Sequence, residues 1–216
     1  MKRLVLLVLV MGITASIFAQ VTLPEYRFAS GNWGFTGQRL YQNDANARLA
    51  KVNFAVPQRG TMVYEFNAKY EGGGEDGHGG FGIHLFMDTA YNAESWGAGR
   101  SYLLWLNYDE NPVGRDIPRY LSAQVYRSLN NSEMELVQSI SLNEYLPLLF
   151  AGMDYGISFR IMFNSTTGEV RVYDPTDPAM KTYYYFNVDP RGVSAQGGNW
   201  VALRTNGVKI SFGLGL

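Results

Sequence analysis

The sequence predicts an all-β protein, built as a two-sheet antiparallel β-sandwich of the jelly-roll type. Its 216 residues include 15 Tyr, 12 Phe and 24 Gly, and few runs favour a helix. Apolar and polar residues alternate with period two in many short segments, which is typical of strands with one buried face. Gly, Pro, Asn and Asp separate these segments at short intervals, and many short strands divided by such turns favour a sandwich.

The first 20 residues have the order of a secretory signal. Lys2 and Arg3 precede an apolar run that extends from Leu4 to about Ile13, and small residues lead to Ala19 and Gln20. The run is shorter than the roughly 20 apolar residues that a spanning helix needs. We therefore expect residues 1–20 to be a signal peptide without a transmembrane anchor. Residues 21–216 are then one β-sandwich domain of a periplasmic or secreted protein.

The strands of the first half surround a glycine-rich stretch, EGGGEDGHGG at residues 71–80. The preceding segment, TMVYEFNAKY, has a predicted core face of Met62, Tyr64, Phe66 and Ala68. In the following segment, GFGIHLF, the predicted core face is Phe81, Ile83 and Leu85, opposite Gly82, His84 and Phe86. Because glycine adopts positive φ readily, we interpret the stretch between the two segments as a hairpin loop.

The second half continues the strand pattern. SYLLWLNY is apolar on both faces, as in a central strand that is covered on both sides. RYLSAQVYRSL and EMELVQSISL flank the turn NNS, and a hairpin around NSTTG follows a short helical piece near LNEYLPLLF, which Pro147 is expected to limit. TYYYFNV, NWVALRT and VKISFGLGL complete the strands. Asn206-Gly207 is a signal for a two-residue turn between the last two.

Charge and cysteine content exclude several classes of function. Without Lys2 and Arg3 the chain has 16 basic and 19 acidic residues, a balance that does not favour nucleic acid as a partner. The absence of cysteine excludes thiol nucleophiles and cysteine-based metal centres. It also means that the domain is stabilised by its core and not by disulfides.

Several segments together resemble the concanavalin A-like (laminin G-type) superfamily of lectins and glucanases. These segments are GNWGFTGQRLYQ, TMVYEFNAKY with GGFGIHLF, YGISFRIMFNSTTGEVRVYD, and GGNWVALRTNGVKISFGLGL. The resemblance implies a jelly-roll fold and covers most of the chain after residue 20. Members of this superfamily include glycan-binding modules, glycosidases and structural parts, so the fold does not by itself determine the function.

The sequence contains no recognisable catalytic motif. The glucanases of the superfamily carry an E-x-D-x-x-E strand, and this chain has none. Glu133 and Glu135 would share one strand face, but next to the NNS turn they are expected to face solvent. The only histidines are His78 and His84, and no G-x-S-x-G or H-E-x-x-H motif accompanies them. We therefore predict no catalytic residues.

A loop with the sequence YNAESWGAGR is the best candidate for a ligand site. Sugars stack their C–H faces on aromatic rings while neighbouring polar groups bind the hydroxyls, and this loop offers both kinds of group. The predicted ligand-binding residues are Trp96, Tyr91, Asn92, Glu94, Arg100 and His84. Two alternatives stay open: Trp96 could be a packed anchor of the loop, and His84 a hydrogen-bonded structural residue. Trp105 and Trp200 lie in apolar runs and are expected in the core.

Structural calcium is the one cofactor for which the sequence offers candidate ligands, since lectin-like domains often bind it and Ca²⁺ prefers carboxylate and carbonyl oxygens. The candidates are Glu75, Asp76 and Asp88. The function that we expect is an exported, non-catalytic module that binds a glycan or a cell-envelope component. One alternative is a structural protein of the periplasm or envelope, for example a subunit associated with the sheath of a periplasmic flagellar filament. Another is a glycoside hydrolase with an unrecognised carboxylate pair.

Overall fold

A computed structural model describes residues 23–173, 177, 179, 182–188 and 198–213. The predicted signal peptide, residues 1–20, lies outside these residues. The described chain forms fourteen strands, which are β1 Tyr26–Ser30, β2 Trp33–Thr36, β3 Arg39–Gln42, β4 Ala50–Ala55, β5 Thr61–Gly73, β6 His78–Met87, β7 Ser101–Asp109, β8 Tyr120–Ser128, β9 Met134–Ser141, β10 Ile157–Asn164, β11 Glu169–Tyr173, β12 Thr182–Asn187, β13 Trp200–Asn206 and β14 Val208–Gly213. Between β9 and β10, a 3₁₀ turn at Asn143–Tyr145 leads into helix α1, Leu146–Met153. None of the described helices has the length and apolar character needed to cross a membrane.

The strands form two seven-stranded sheets with antiparallel pairing. Sheet A has the order β1-β4-β13-β6-β7-β8-β9, and sheet B has the order β12-β11-β10-β5-β14-β3-β2. This arrangement confirms the predicted all-β class and the two-sheet antiparallel jelly roll. The predicted turns NNS and NSTTG join neighbouring strands of one sheet, β8 to β9 and β10 to β11.

The core lies between the sheets and follows the predicted alternation. Phe81 from sheet A contacts Phe159 and Phe212 from sheet B, with ring centroids 5.7 and 5.9 Å apart in edge-on geometry. Fully burying one such side chain contributes about 1.5–3 kcal/mol. Phe66 completes this group, 5.6 Å from the ring of Phe159. Aromatic residues from both sheets therefore hold the sandwich together without a disulfide.

Two connections differ from the predicted hairpins. The glycine-rich stretch joins β5 of sheet B to β6 of sheet A, and Asn206-Gly207 joins β13 of sheet A to β14 of sheet B. Each link therefore crosses from one sheet to the other, so the hairpin predictions are wrong. Gly207 has a φ of +69°, which lets a single residue make the reversal.

Two further local predictions are corrected. Phe86 faces the core, with its ring 4.3 Å from that of Phe163, because its φ of +66° and a register shift between β6 and β13 break the alternation. Pro147 lies in the first turn of α1 and does not end it. Proline is tolerated there because the first amide groups of a helix have no intrahelical partner.

Candidate functional site

The outer face of sheet A, which points away from the core, carries a depression of about 440 Å³. Its lining comes from five neighbouring strands, β13, β6, β7, β8 and β9, from the loop of residues 88–100 between β6 and β7, and from the segments that contain Arg48 and Ile117. The residues that define it here are Trp96, Trp105, Asn107, Gln124, Tyr126 and Arg204, with Arg48, His78, Asp109 and Asn206 toward one end. Aromatic and amide groups thus lie together on one surface.

Trp105 forms part of the floor because two glycines leave room for its ring. Gly80 and Gly82 on β6 stand beside β7, where Gly82 pairs with Trp105. A Cβ at Gly80 would lie 2.7 Å from the indole, and one at Gly82 would lie 2.9 Å from it. The indole therefore lies flat across β6, and its Nε1 donates to Oδ1 of Asn107 at 3.0 Å.

Arg204 lies between two indole rings. Its Cζ atom is 5.0 Å from the ring of Trp96 and 5.4 Å from that of Trp105, both within cation–π range. The residue is only 2% exposed. Its Nη1 donates to the carbonyl oxygen of Trp96 at 2.6 Å, while its Nε is buried without a hydrogen-bond partner among the described residues. Burial lowers the pKa of Arg204 to about 10, and the electrostatic interaction with Tyr126 acts in the opposite direction.

Lys51 is the cross-strand neighbour of Arg204 and is equally buried, at 1% exposure. Its Nζ donates to Ser95 O at 2.7 Å, to Ser95 Oγ at 2.6 Å and to Gly97 O at 2.8 Å. The hydrogen bonds from Lys51 and Arg204 thus fix the backbone of residues 95–97 and, with it, the position of Trp96. Burial, followed by the charge of Arg204, lowers the pKa of Lys51 to about 7, and Glu94 acts in the opposite direction.

A chain of polar groups continues the floor on β8. The hydroxyl of Tyr126 donates to Oε1 of Gln124 at 2.7 Å, and Nε2 of Gln124 donates to Oγ of Ser122 at 2.9 Å. Toward one end, Nε2 of His78 lies 3.9 Å from Oδ2 of Asp109. The site therefore combines fixed amide and hydroxyl groups with aromatic surface.

Of the six predicted ligand-binding residues, only Trp96 lines the depression, and its side chain is about half exposed, at 48%. Tyr91 is partly buried and donates to Oδ1 of Asp88 at 2.9 Å. Burial first, and then the bond with Asp88, raises its pKa. Asn92, Glu94 and Arg100 are exposed on the same loop and do not line the depression.

His84 lies in the row of side chains next to that of Arg204, beneath the loop 88–100. It has no exposed surface, and its Nδ1 is 3.0 Å from Oγ of Ser101. Burial and the charges of Arg204 and Lys51 hold its pKa well below the usual range. Its Nε2 has no partner among the described residues. The geometry thus matches the structural alternative more closely than a direct ligand contact.

The predicted calcium ligands are not gathered into one place. Glu75 and Asp76 precede β6, whereas Asp88 follows it. Asp76 accepts from Nη2 of Arg48 at 3.4 Å, and Asp88 accepts from Tyr91. Within the described part of the chain, no group of three or more His, Asp or Glu side chains is arranged to hold a metal ion.

Several residues of the depression were not predicted. Trp105 is buried, but it lies on the outer face and not in the core cluster between the sheets, and partly buried Trp200 is also outside that cluster. The predicted burial is therefore confirmed for Trp105, although it lies outside the cluster between the sheets, whereas Trp200 is only partly buried. A usable signal was present in the sequence, since Gly80 and Gly82 alternate on one face of a strand and could accommodate a flat ring. Nothing local to Arg204 indicated its position, which depends on how β13 pairs with β4 and β6.

A second cavity of about 360 Å³ lies between the sheets beside α1, where Leu149 and Phe150 face Tyr108. Its lining is mostly apolar, and Phe150 packs on the ring of Tyr108 at 5.6 Å. It has fewer polar side chains than the depression on sheet A and no indole ring. The depression on sheet A is the better candidate site.

Comparison with known proteins finds similarity in structure only. No sequence family matches the chain, and no curated protein sequence is similar to it. A carbohydrate binding module, CBM66 from Bacillus subtilis, superposes with a TM-score of 0.53 and 10% identity over 88% of this chain and 92% of that one. Peanut lectin with a nonapeptide superposes with a TM-score of 0.51 and 14% identity, over 88% of this chain and 90% of that one. A legume lectin-like domain from Entamoeba histolytica superposes with a TM-score of 0.51 and 11% identity, over 88% of this chain and 86% of that one.

Identities this low establish the fold alone. The three structures are a carbohydrate binding module, a legume lectin and a legume lectin-like domain, and each covers nearly nine tenths of this chain. Together with the two seven-stranded antiparallel sheets, they confirm the expected fold. The chain adopts the concanavalin A-like jelly roll.

Proposed function

We propose that the protein is a non-catalytic binding module that recognises a saccharide in the depression on sheet A. The observation that carries this proposal is the half-exposed indole of Trp96 beside a floor of ordered amide and hydroxyl groups. Aromatic faces bind the apolar side of a sugar ring, and fixed polar groups select its hydroxyls. The similarity in fold to a carbohydrate binding module and to lectins supports the same class of ligand.

The carboxylate content of the depression supports binding without hydrolysis. Glycosidases generally need two carboxyl groups, about 5–9.5 Å apart, on either side of the scissile bond. Asp109 is the only Asp or Glu among the described residues that line the depression. Glu133 and Glu135 are exposed, as predicted, and contact Asn130 and Arg127 away from it. A polysaccharide panel that released reducing sugar with this protein would contradict the proposal.

Binding can be tested with a glycan array, followed by calorimetry on the saccharides that it retains. We expect Trp96→Ala to weaken binding about tenfold or more, the equivalent of about 1.4 kcal/mol, because it removes the exposed ring. Tyr185→Ala is the matched control, since Tyr185 is also 48% exposed but belongs to β12 in sheet B. Unchanged affinity in Trp96→Ala, or an array that retains no saccharide, would show that the site is placed wrongly.

We also propose that the module acts outside the cytoplasm. Support comes from the signal-like order of residues 1–20, with two basic residues before an apolar run. Mass spectrometry of the protein after expression with its leader tests this point. A mature chain that begins near Gln20 or Val21 supports export, and an intact Met1 in a cytoplasmic fraction contradicts it.

A further inference from the structure

The charges around the depression are not balanced. Arg204 lies in its floor and Arg48 lies at its rim, whereas the lining contains one carboxylate, Asp109, among the described residues. Asp109 is already engaged, since Oδ1 accepts from the backbone amide of Asn111 at 2.8 Å and Oδ2 faces His78. Arg48 pairs at 3.4 Å with Asp76, but both side chains are more than half exposed, so water screens this pair.

Arg204 has no carboxylate partner in the described structure. A buried cation that lacks a counter-ion is costly, because it has lost hydration without gaining an ion pair. Its guanidinium contacts the Trp96 carbonyl, the sulfur of Met134 at 4.0 Å and the two indole rings. Its buried Nε has no hydrogen-bond partner among the described residues. The positive charge is therefore only partly compensated by the protein.

Lys51 adds to the same imbalance. It is next to Arg204 in the cross-strand register and donates only to two carbonyl oxygens and one hydroxyl. Within the described residues, neither side chain forms an ion pair, although other charged residues do, including Arg48 with Asp76 and His78 with Asp109 at one end of the depression. Because its pKa is about 7, Lys51 carries only part of a charge at neutral pH, so Arg204 supplies most of the charge beneath the depression. A buried charge is screened less than a surface charge, and the floor of the depression is consequently a region of positive potential.

We propose that the saccharide bound in the depression is acidic, and that its carboxylate or sulfate group lies in the depression above Arg204 and compensates the charge of this buried side chain. This inference rests on the proposed function and adds the chemical class of the ligand. Trp96 and Trp105 hold the guanidinium between them, so the charge is fixed in place before the ligand arrives. Arg48 approaches from the rim and supplies a second positive charge, which is accessible to solvent.

The test uses saccharides in matched pairs that differ only in charge. Suitable probes are oligogalacturonate with its carboxyl-reduced form, and dextran sulfate with dextran, alongside the acidic and neutral members of the array. We expect the acidic member of at least one pair to bind tenfold or more tightly than its neutral counterpart at 50 mM NaCl. The preference should fall severalfold at 300 mM NaCl, because screening weakens charge interactions.

Two substitutions locate the charge responsible. Arg204→Met keeps the apolar stem between the indoles and should remove the preference for the acidic member. Because Arg204 also holds the Trp96 carbonyl, Arg48→Gln provides a second variant that does not disturb the floor. We expect it to weaken acidic binding about threefold or more with an unchanged unfolding temperature. Arg171→Gln on the outer face of sheet B is the matched control and should have no effect.

Each outcome decides between the inferences. Equal affinity for acidic and neutral members would overturn the acidic ligand and leave the proposed saccharide site standing. Acidic binding that is unaffected by both Arg204→Met and Arg48→Gln would show non-specific attraction and would also overturn it. If neither acidic nor neutral saccharides bind, the proposed function fails together with this inference.

Discussion

The outer faces of the two sheets differ in the surroundings of some of their charged residues. On sheet B, Arg160 pairs with Glu65, and Nε of Arg171 lies 2.5 Å from Oε1 of Glu169. These groups are partly exposed, so each charge keeps both a partner and much of its hydration. On sheet A, Lys51 and Arg204 are nearly inaccessible and have no ion pair within the described structure.

This difference is part of the physical basis for proposing a binding site on sheet A. Exposed ion pairs contribute little to stability and impose few demands on their neighbours. Buried cations require specific surroundings, and here those surroundings are the loop 88–100, the two indoles and the glycines of β6. A surface that needs so many residues to place two positive charges is better explained by recognition than by solubility.

Substitution of the glycines on β6 should have the largest effect on stability. A Cβ at Gly82 would lie 2.0 Å from the carbonyl oxygen of Leu104 and 2.9 Å from Trp105, so Gly82→Ala forces the sheet or the indole to move. We expect a loss of about 3 kcal/mol, since overpacking of this kind typically costs 1–3 kcal/mol or more. Urea unfolding monitored by tryptophan fluorescence measures this loss.

Gly34→Ala on β2 of sheet B is the control for that substitution. No atom of another residue lies within 4 Å of the Cβ position, apart from its chain neighbours. We expect stability to stay within about 0.5 kcal/mol of the original, because surface substitutions without such contacts are usually nearly neutral. A similar large loss of stability in both variants would mean that the outer faces of the two sheets are equally closely packed, which would contradict the difference between them.

The next prediction concerns the pH dependence of stability. The pKa of Lys51 is about 7 in the folded protein and 10.5 in its ordinary state. The unfolded chain therefore binds this proton more strongly between pH 7 and 10.5, so stability should rise with pH in that range. The expected slope approaches about 1.4 kcal/mol per pH unit. Unfolding free energies from urea titrations at pH 7.5, 8.5 and 9.2 would measure it.

Lys51→Met should remove this slope, whereas Lys209→Met on sheet B should keep it. The measurements stop below pH 9.5 because partly buried Tyr64 and buried Tyr184 have pKa values raised by burial. Their unfolded forms ionise near pH 10, and this opposes folding at higher pH. Identical slopes in the original protein and in Lys51→Met would show that Lys51 does not titrate in this range.

The smallest expected effect is on sheet B. Glu169→Gln removes the ion pair with Arg171 at a site where both side chains retain contact with water. We expect a change in unfolding free energy of less than about 0.5 kcal/mol, as for most exposed pairs. A melting curve recorded at low and high salt is sufficient to measure it. A loss of several kcal/mol would indicate that this ion pair on sheet B also depends on specific interactions with its neighbours.

Much of the fold could be predicted because burial in a two-layer sandwich imposes a local pattern. The alternation in β5 placed Phe66 and Ala68 in the core, where they lie. The pattern also located the turns, but it could not determine which sheet the chain enters next. The glycine-rich stretch and Asn206-Gly207 were therefore interpreted as hairpins although both cross between the sheets. A tight turn has the same local sequence in either case.

The candidate site was predictable only where one loop supplied the residue. Trp96 stood out in a polar, glycine-rich loop, and the structure places it at the depression. Trp105 lies in an apolar run, and a strand covered on both faces has the same sequence whether its cover is another sheet or a loop. The position of Arg204 depends on pairing with strands more than a hundred residues away in sequence, which no local pattern reveals.

The burial of Lys51 also has a practical use. The other described lysines, Lys69 and Lys209, belong to β5 and β14 in the middle of sheet B and are partly accessible. Reagents that couple to the side chains of these two lysines would consequently modify the side of the sandwich opposite the depression. On a biosensor chip, coupling through these two side chains would attach the protein by sheet B and leave the depression on sheet A accessible to the sample.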